Sequence, residues 1–232
     1  MIPTKDVHIR QTRPAAAAFI VAAAATAVAG AVLLFGLQPT TDLSEDMWRY
    51  PWESSGAFVA FSIFSAGLHA LVVAGVVAFG RSGAVGRSRA ATWGVGLAVA
   101  GTTLLLVGEL LSIAVRNAES SDTSATIVGA VFGVGGLLST FGFLVVGGAT
   151  LRAGVWQGWR RFTPLATGAW LTAMAFLATP TRLHGMVGVY GLCLLAMAVA
   201  LYTDPSPAAA TNAGQPKVRR ALTRTSISRD GQ

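Results

Sequence analysis

The 232 residues of this chain are 53% hydrophobic and only 12% charged, with a mean hydropathy of +0.60. Soluble domains carry about 25% charged residues, so this composition excludes an ordinary soluble domain and predicts a protein of the lipid bilayer. Basic residues outnumber acidic ones by 17 to 10, but they fall in short loops and tails, which excludes a nucleic-acid binder. The single cysteine, Cys193, allows neither an internal disulfide nor a cysteine-based metal site.

Six apolar stretches are long enough, at roughly 17 to 25 residues, to cross a hydrocarbon core. They predict an all-α fold, a polytopic membrane helix bundle with six transmembrane helices. Thr163 followed by Pro164 is a good helix start for the fifth stretch, and Thr179, Pro180 and Thr181 predict its end. The stretches are residues 15–37, 56–80, 91–115, 125–148, 163–179 and 183–202.

The first stretch has features of a secretory signal. A basic leader precedes an alanine-rich run, and the small residues Ala27 to Gly30 imitate a cleavage site after Ala29. The apolar run nevertheless continues to Leu37 and totals about 23 residues, longer than the roughly 7 to 15 residues of a signal core. We therefore expect an uncleaved first helix; cleavage would leave five spans.

The distribution of arginine and lysine predicts the orientation, because loops rich in these residues stay in the cytoplasm. With the N-terminus inside, only three of the 17 basic residues fall outside: Arg49, Arg116 and Arg182. Residues 1–14 are then a cytoplasmic N-terminal segment, 15–202 the membrane domain, and 203–232 a disordered, basic cytoplasmic tail. Four tail residues could contact anionic lipid, or act only as solvated topology determinants: Lys217, Arg219, Arg220 and Arg224.

Glu109 is the leading candidate for function, because ionisable residues inside a membrane are costly. It lies in the outer half of the third stretch, and Arg116 follows seven residues later on nearly the same helix face. Arg182 and His184 enter the sixth stretch from the same outer side. Glu109 could therefore line an outward-facing polar pocket or a proton or cation site, closed by the loop 48–52. The alternative is a structural clasp that satisfies one carboxylate between helices.

His69 lies near the middle of the second stretch and could bind a metal, shuttle protons or ligate haem. His184 is the only other histidine within a span. It lies ~2 Å from the outer end of its helix and His69 ~19 Å from its own, which is too great a mismatch for a shared haem. We prefer a core histidine bonded to a hydroxyl or a carbonyl, and the sequence predicts no metal and no cofactor.

Two further patterns concern packing and anchoring. In the fourth stretch, Gly129 with Gly133 and Gly135 with Ser139 have the spacing of small residues that bring helices close. We expect packing within the chain, with another subunit as the alternative. The loop at 152–162 mixes arginines with Trp156, Trp159 and Phe162, which is typical of anchors at the membrane interface.

Several short motifs carry a resemblance. These are WRYPW before the second stretch, LHALVVAG around His69, GELLSI around Glu109, and GGATLRAGVWQGWRRFTPLATGAW at residues 147–170. Over about residues 30 to 202 the chain resembles a group of uncharacterised six-span membrane proteins of actinobacteria. The resemblance implies an inner-membrane location and an uncleaved first helix. It implies no activity and no catalytic residue.

The chain has no paired aspartates, no HExxH motif and no serine–histidine set. We therefore predict a non-enzymatic integral protein of the bacterial plasma membrane, a partner subunit or an envelope-associated factor whose protein partner is unspecified. A small transporter or proton-coupled permease that uses Glu109 is the first alternative. A membrane-embedded enzyme is the second.

Overall fold

The computed structural model describes the backbone of residues 4–204 and the side chains of residues 13–204. Within that part the chain forms six α-helices and no β-strand, which confirms the all-α prediction. The basic tail with Lys217, Arg219, Arg220 and Arg224 lies outside the described residues. The helices are α1 (Thr4–Val32), α2 (Ser55–Arg81), α3 (Arg89–Ser112), α4 (Thr123–Ala153), α5 (Thr163–Leu177) and α6 (Pro180–Tyr202).

Short helical turns extend two of these helices. A π-helical turn over Leu33–Leu37 and a 3-10 turn over Gln38–Thr40 continue α1, and a second 3-10 turn over Gly158–Phe162 leads into α5. With these extensions, five helices are long and apolar enough to cross a membrane: Arg13–Thr40, Ser55–Arg81, Arg89–Ser112, Thr123–Ala153 and Pro180–Tyr202.

The helix that falls short is α5. Its 15 residues rise about 22 Å at 1.5 Å per residue, against a hydrocarbon core of about 30 Å. The predicted fifth span, residues 163–179, therefore does not meet the length criterion that the other five predicted spans meet.

The connection between α5 and α6 explains this length. α5 ends at Leu177 because Ala178 is extended, with ψ of 129°, and Pro180 already opens α6. Proline fits a first helical position because the N–H it lacks would have no helical partner there. The sequence placed the last helix at 183, so it starts three residues earlier than predicted.

The N-cap position of α5 is occupied by Phe162, and Thr163, the predicted cap, is the first helical residue. The Thr163 hydroxyl donates instead to the Arg160 carbonyl oxygen at 2.9 Å, back into the 3-10 turn. At the middle of α5, Trp170 Nε1 donates to the Met186 carbonyl oxygen at 2.9 Å. This bond ties the short helix to α6.

Consecutive helices pack antiparallel, and α6 closes the arrangement by packing on α1. The direction follows from paired contacts: along α3 and α4, Gly94 meets Val146 whereas Gly108 meets Phe132. The start of α1 and the end of α6 therefore lie at one end with the loops 82–88 and 154–162, which we call the basic end. The segments 41–54 and 113–122 lie at the other, which we call the acidic end because they hold Asp42, Glu45, Asp46, Glu53, Glu119 and Asp122.

Small residues bring α3 and α4 close together. A Cβ on Gly101 would lie 2.6 Å from the Gly135 carbonyl oxygen and would also collide with the Ser139 backbone nitrogen. The predicted packing of Gly135 and Ser139 within the chain is thus confirmed. Gly129 and Gly133, the other pair, do not pack against a helix of the described chain. No described atom lies within 4 Å of a Cβ on Gly133, and a Cβ on Gly129 meets only the Trp48 ring, at 3.9 Å.

The core runs along the inside of the bundle and reaches its basic end. There Trp156 is 2% exposed and its ring lies 5.1 Å from that of Phe79. The prediction that Trp156 is an interface anchor is therefore wrong, because the loop folds back over the end of α2. Trp159 and Phe162 remain exposed. The largest fully buried side chains include Phe19, Phe79, Phe143, Leu194 and Met197.

Candidate functional site

Glu109 projects toward the interior of the bundle. On α3 it follows Ala91, Ala98 and Thr102 at spacings of seven, four and seven residues, which places all four on one helix face. The first three are at most 2% exposed, whereas Trp93 on the opposite face is 72% exposed. Glu109 itself is half-buried, and three residues later α3 ends. The structure thus places this carboxyl group inside the bundle, near its acidic end.

The arginines predicted as partners of Glu109 do not bind it. Its carboxylate forms no hydrogen bond or ion pair with any described residue. Arg116 donates instead from Nη1 to the Ile113 carbonyl oxygen at 2.7 Å. The helical spacing that linked it to Glu109 fails because α3 ends at Ser112. Arg182 is exposed at the start of α6, and its side chain makes no such contact within residues 13–204.

His184 lies beside α1 and the segment 41–54. Its backbone carbonyl packs against Gly30, and its ring centroid lies 6.4 Å from that of Tyr50. Its Nδ1 atom is buried and has no hydrogen-bond partner in the described part of the chain. His184 is therefore near the acidic end, as predicted, but no bond joins it to Glu109.

His69 lies on the inward face of α2. Its Nδ1 is 3.0 Å from the Ser65 carbonyl oxygen, a hydrogen bond when Nδ1 carries the proton. This is the bond to a carbonyl that the interpretation as a core histidine predicted. Ser62, Ser65 and Val72 share its face at heptad spacing and are at most 8% exposed. The Ser62 hydroxyl has no hydrogen-bond partner among residues 13–204.

The register between α2 and α3 brings Ser62 and Ser65 nearly level with Glu109 and places His69 within about two helical turns of it. Gly80 packs against Val95 near the basic end, and Ser55 Oγ donates to Asn117 Oδ1 at 2.8 Å near the acidic end. Because the two helices are antiparallel, counting inward from either contact places Glu109 opposite residues 63 to 66. We call Ser62, Ser65, His69 and Glu109 the interior polar layer.

The chemistry of this layer is that of oxygen ligands and an imidazole. A carboxylate and a serine hydroxyl can bind a proton or a small monovalent cation, and histidine can relay a proton. The described residues contain no group of three or more His, Cys, Asp or Glu side chains that could hold a metal ion. The layer therefore suits a proton or a weakly held cation.

The segment 41–54 covers the acidic end. It pairs with the segment 113–122 through an antiparallel bridge between Met47 and Glu119, with Trp48 N donating to the Ala118 carbonyl oxygen at 3.0 Å. The Trp48 ring lies 6.4 Å from that of Phe132, and Phe132 packs against Gly108, next to Glu109. Two adjoining contacts thus link the covering segment to the polar layer.

A polar cluster that the sequence did not predict joins the segment 41–54 to the segment 113–122. Arg49 Nη1 donates to Asn117 Oδ1 at 2.6 Å, and the same oxygen accepts the bond from Ser55. Arg49 Nε also donates to the Trp52 carbonyl oxygen at 3.2 Å. No sequence pattern pointed to Asn117, because a single polar residue in a turn has no periodicity to mark it.

No family model matches the chain, and no curated protein or solved structure matches it either. The fold and the site therefore define only a class. Five long apolar helices around a mostly apolar core indicate a multi-pass helical membrane protein. Membership of the actinobacterial six-span group stays a prediction.

Proposed function

We propose that the chain is a six-span protein of the bacterial plasma membrane with both termini in the cytoplasm. Two observations support six crossings. α5 runs antiparallel to both α4 and α6, and the preceding 3-10 turn of five residues adds about 10 Å to its length. The orientation rests on six arginines at the basic end, since positive loops stay inside: Arg81, Arg87, Arg89, Arg152, Arg160 and Arg161.

Thiol labelling in intact cells tests this topology. In a Cys193→Ala background, Ser121→Cys marks the acidic end and Gln157→Cys the basic end, and both positions are exposed. A membrane-impermeant maleimide should label position 121 in intact cells and position 157 only after permeabilisation. Labelling of both positions from outside would rule out the six-span arrangement.

For activity we propose a small non-enzymatic permease in which Glu109 binds a proton or a monovalent cation. The observation that carries this proposal is an inward-facing carboxylate with no described ion pair or hydrogen bond. An unpaired charge in the interior of a membrane bundle is expensive. Glu109 lowers that cost by taking up a proton or a cation, and release of the same ion on the other side of the membrane completes its passage.

The surroundings of Glu109 favour an ion-binding site over a structural clasp between helices. A structural clasp requires a bonded partner, which Glu109 lacks among the described residues, and Arg116 is already bonded to the Ile113 carbonyl. The neighbouring face of α2 offers instead the buried hydroxyl of Ser62, which is 1% exposed and without a described partner. Such a hydroxyl can donate to a carboxylate or accept from a bound cation's water.

Proton flux into liposomes tests the proposal with the proton itself as probe. The purified chain is reconstituted with an internal pH-sensitive dye, and a potassium gradient with valinomycin sets the membrane potential. Glu109→Gln should reduce flux at least tenfold, whereas Glu119→Gln, at an exposed loop position, should leave it unchanged. Flux equal to that of empty liposomes would contradict a proton as the transported ion, and full flux in Glu109→Gln would contradict the role of Glu109.

A role as a partner subunit is the second candidate, and the exposed face of α4 favours it. Gly147 packs against Leu165, so the antiparallel register brings the end of α5, Leu177, level with residue 135 of α4. Gly133 and Gly129 lie beyond that level and contact no helix of the described chain. Small residues at this spacing accommodate a helix of another protein.

Purification of the tagged protein in mild detergent tests this second candidate. A complex should form and should be lost in Gly133→Leu. Gly148→Leu is the matched control, because no described atom lies within 4 Å of a Cβ there either and the site is near the basic end. Recovery of a monomer alone would argue strongly against a partner subunit.

A further inference from the structure

We propose that the cleft between α2 and α3 at the basic end binds the phosphate headgroup of an anionic phospholipid. The cleft is a cavity of about 230 Å³. Val77 and Arg81 of α2 line one side, Thr92 and Val95 of α3 the other, and Val85 of the connecting loop the end. This site is separate from the interior polar layer and needs only that the bundle lies in a membrane.

The cleft opens away from the core. Val72 and Val76 point inward from α2 and are at most 2% exposed, whereas Arg81 and Thr92 are exposed. Trp93 beside the cleft is 72% exposed, and tryptophan at the end of an apolar helix is typical of the headgroup level. A ligand that enters from the lipid side therefore meets valine walls along the helices and arginine at their end.

The charge around the cleft selects an anion. The Arg81 side chain forms no hydrogen bond or ion pair with residues 13–204, and Arg87 and Arg89 next to it are exposed. No acidic residue occurs between Arg81 and Arg89. Arginine donates in a fork that matches phosphate oxygens. The valine walls, which continue into the apolar spans, favour a lipid phosphate over a free one.

The connecting loop fixes the shape of one end of the cleft. Gly83 and Gly86 have φ of +86° and +72°, values that L side chains rarely adopt. Ser82 Oγ donates to the Phe79 carbonyl oxygen at 2.8 Å and accepts from Ala84 N at 3.2 Å. A loop of defined geometry loses less entropy when a ligand binds.

Native mass spectrometry of the full chain in detergent, titrated with phosphatidylglycerol, tests the site. Arg81→Gln should weaken binding about fivefold, the loss of one basic residue near anionic lipid. Thr92→Phe, which fills the cleft and keeps the charge, should weaken it to a similar extent. Arg161→Gln is the control for general charge, because Arg161 lies at the same end over the Phe162 ring and outside the cleft; it should change binding less than twofold.

Several results would overturn the proposal. Equal losses in Arg81→Gln and Arg161→Gln would show diffuse attraction, and tight binding in both cleft variants would show that the cleft is not used. Phosphatidylcholine bound as tightly as phosphatidylglycerol would remove the anion requirement. Displacement of the lipid by millimolar inorganic phosphate would identify a free-anion site. If Arg81→Gln fails to fold by circular dichroism, Thr92→Phe decides alone.

Discussion

The contact between α3 and α4 makes a sharp prediction for Gly101→Ala. The new methyl carbon would lie 2.6 Å from the Gly135 carbonyl oxygen and would collide with the Ser139 backbone nitrogen. Both are backbone atoms of a regular helix, so neither can turn aside as a side chain can. To restore ordinary contact at roughly 3.5 Å, the two helices must separate by about 1 Å.

The magnitude follows from what that separation disrupts. A gap of about 0.5–1 Å loses a quarter to a half of the dispersion attraction of the atoms involved, and the neighbouring contact between Ala98 and Gly142 opens with it. Overpacking costs about 1–3 kcal/mol, and a backbone collision belongs at the upper end. Alanine stabilises a helix by about 1 kcal/mol relative to glycine. We therefore expect a net loss of about 2 kcal/mol.

The matched control is Gly96→Ala on the same helix, because no described atom lies within 4 Å of a Cβ there. It should be neutral or stabilising by up to about 1 kcal/mol. The free energy of unfolding is measured by titration with sodium dodecyl sulfate in mixed micelles, followed by far-ultraviolet circular dichroism. Equal stability of Gly101→Ala and Gly96→Ala would refute the close α3–α4 packing on which the estimate rests.

Two further variants test other contacts. Phe19→Ala should destabilise the protein by about 3–5 kcal/mol, because Phe19 is fully buried against α2; Phe35→Ala, 78% exposed, should change the same unfolding free energy by less than about 0.5 kcal/mol. Asn117→Ala removes the oxygen that accepts from Arg49 and Ser55 and should hasten proteolysis of the segment 41–54. Asn117→Asp keeps an acceptor and should leave the segment protected; equal cleavage of both variants would contradict the role of this oxygen.

The helices of this fold could be predicted from the sequence because each long span is a continuous apolar run. The end of α5 could not be predicted, because a proline can either end one helix or begin the next. The extended backbone at Ala178 shows that Pro180 begins α6. The spacing of small residues in α4 likewise predicted close packing but did not identify the helix that packs there. Gly135 packs against α3, whereas Gly133 contacts nothing described, because α5 ends level with residue 135.

The candidate site was predictable in part for a similar reason. Glu109 could be selected from the sequence because it is an ionisable residue deep in a predicted span. That it faces the interior of the bundle follows from its spacing to Ala98 and Thr102 only once those two residues are known to be buried. The pairing with Arg116 assumed that α3 continues for seven more residues, but it ends after three. His69 could be placed within about two helical turns of Glu109 only from the register between α2 and α3, which no single-helix pattern contains.

The contacts around Glu109 also limit how access to it can change. On one side, α3 is held to α4 through glycine contacts at backbone distance from Gly101 to Ser139, an interface that tolerates little displacement. On the other, the segment 41–54 packs its Trp48 ring against Phe132 and forms hydrogen bonds at the exposed end of the bundle, two of them at Asn117. Such exposed bonds contribute about 1 kcal/mol each and open readily. If Glu109 exchanges protons with the acidic side, the segment 41–54 is therefore the part that moves, and α3 and α4 stay together.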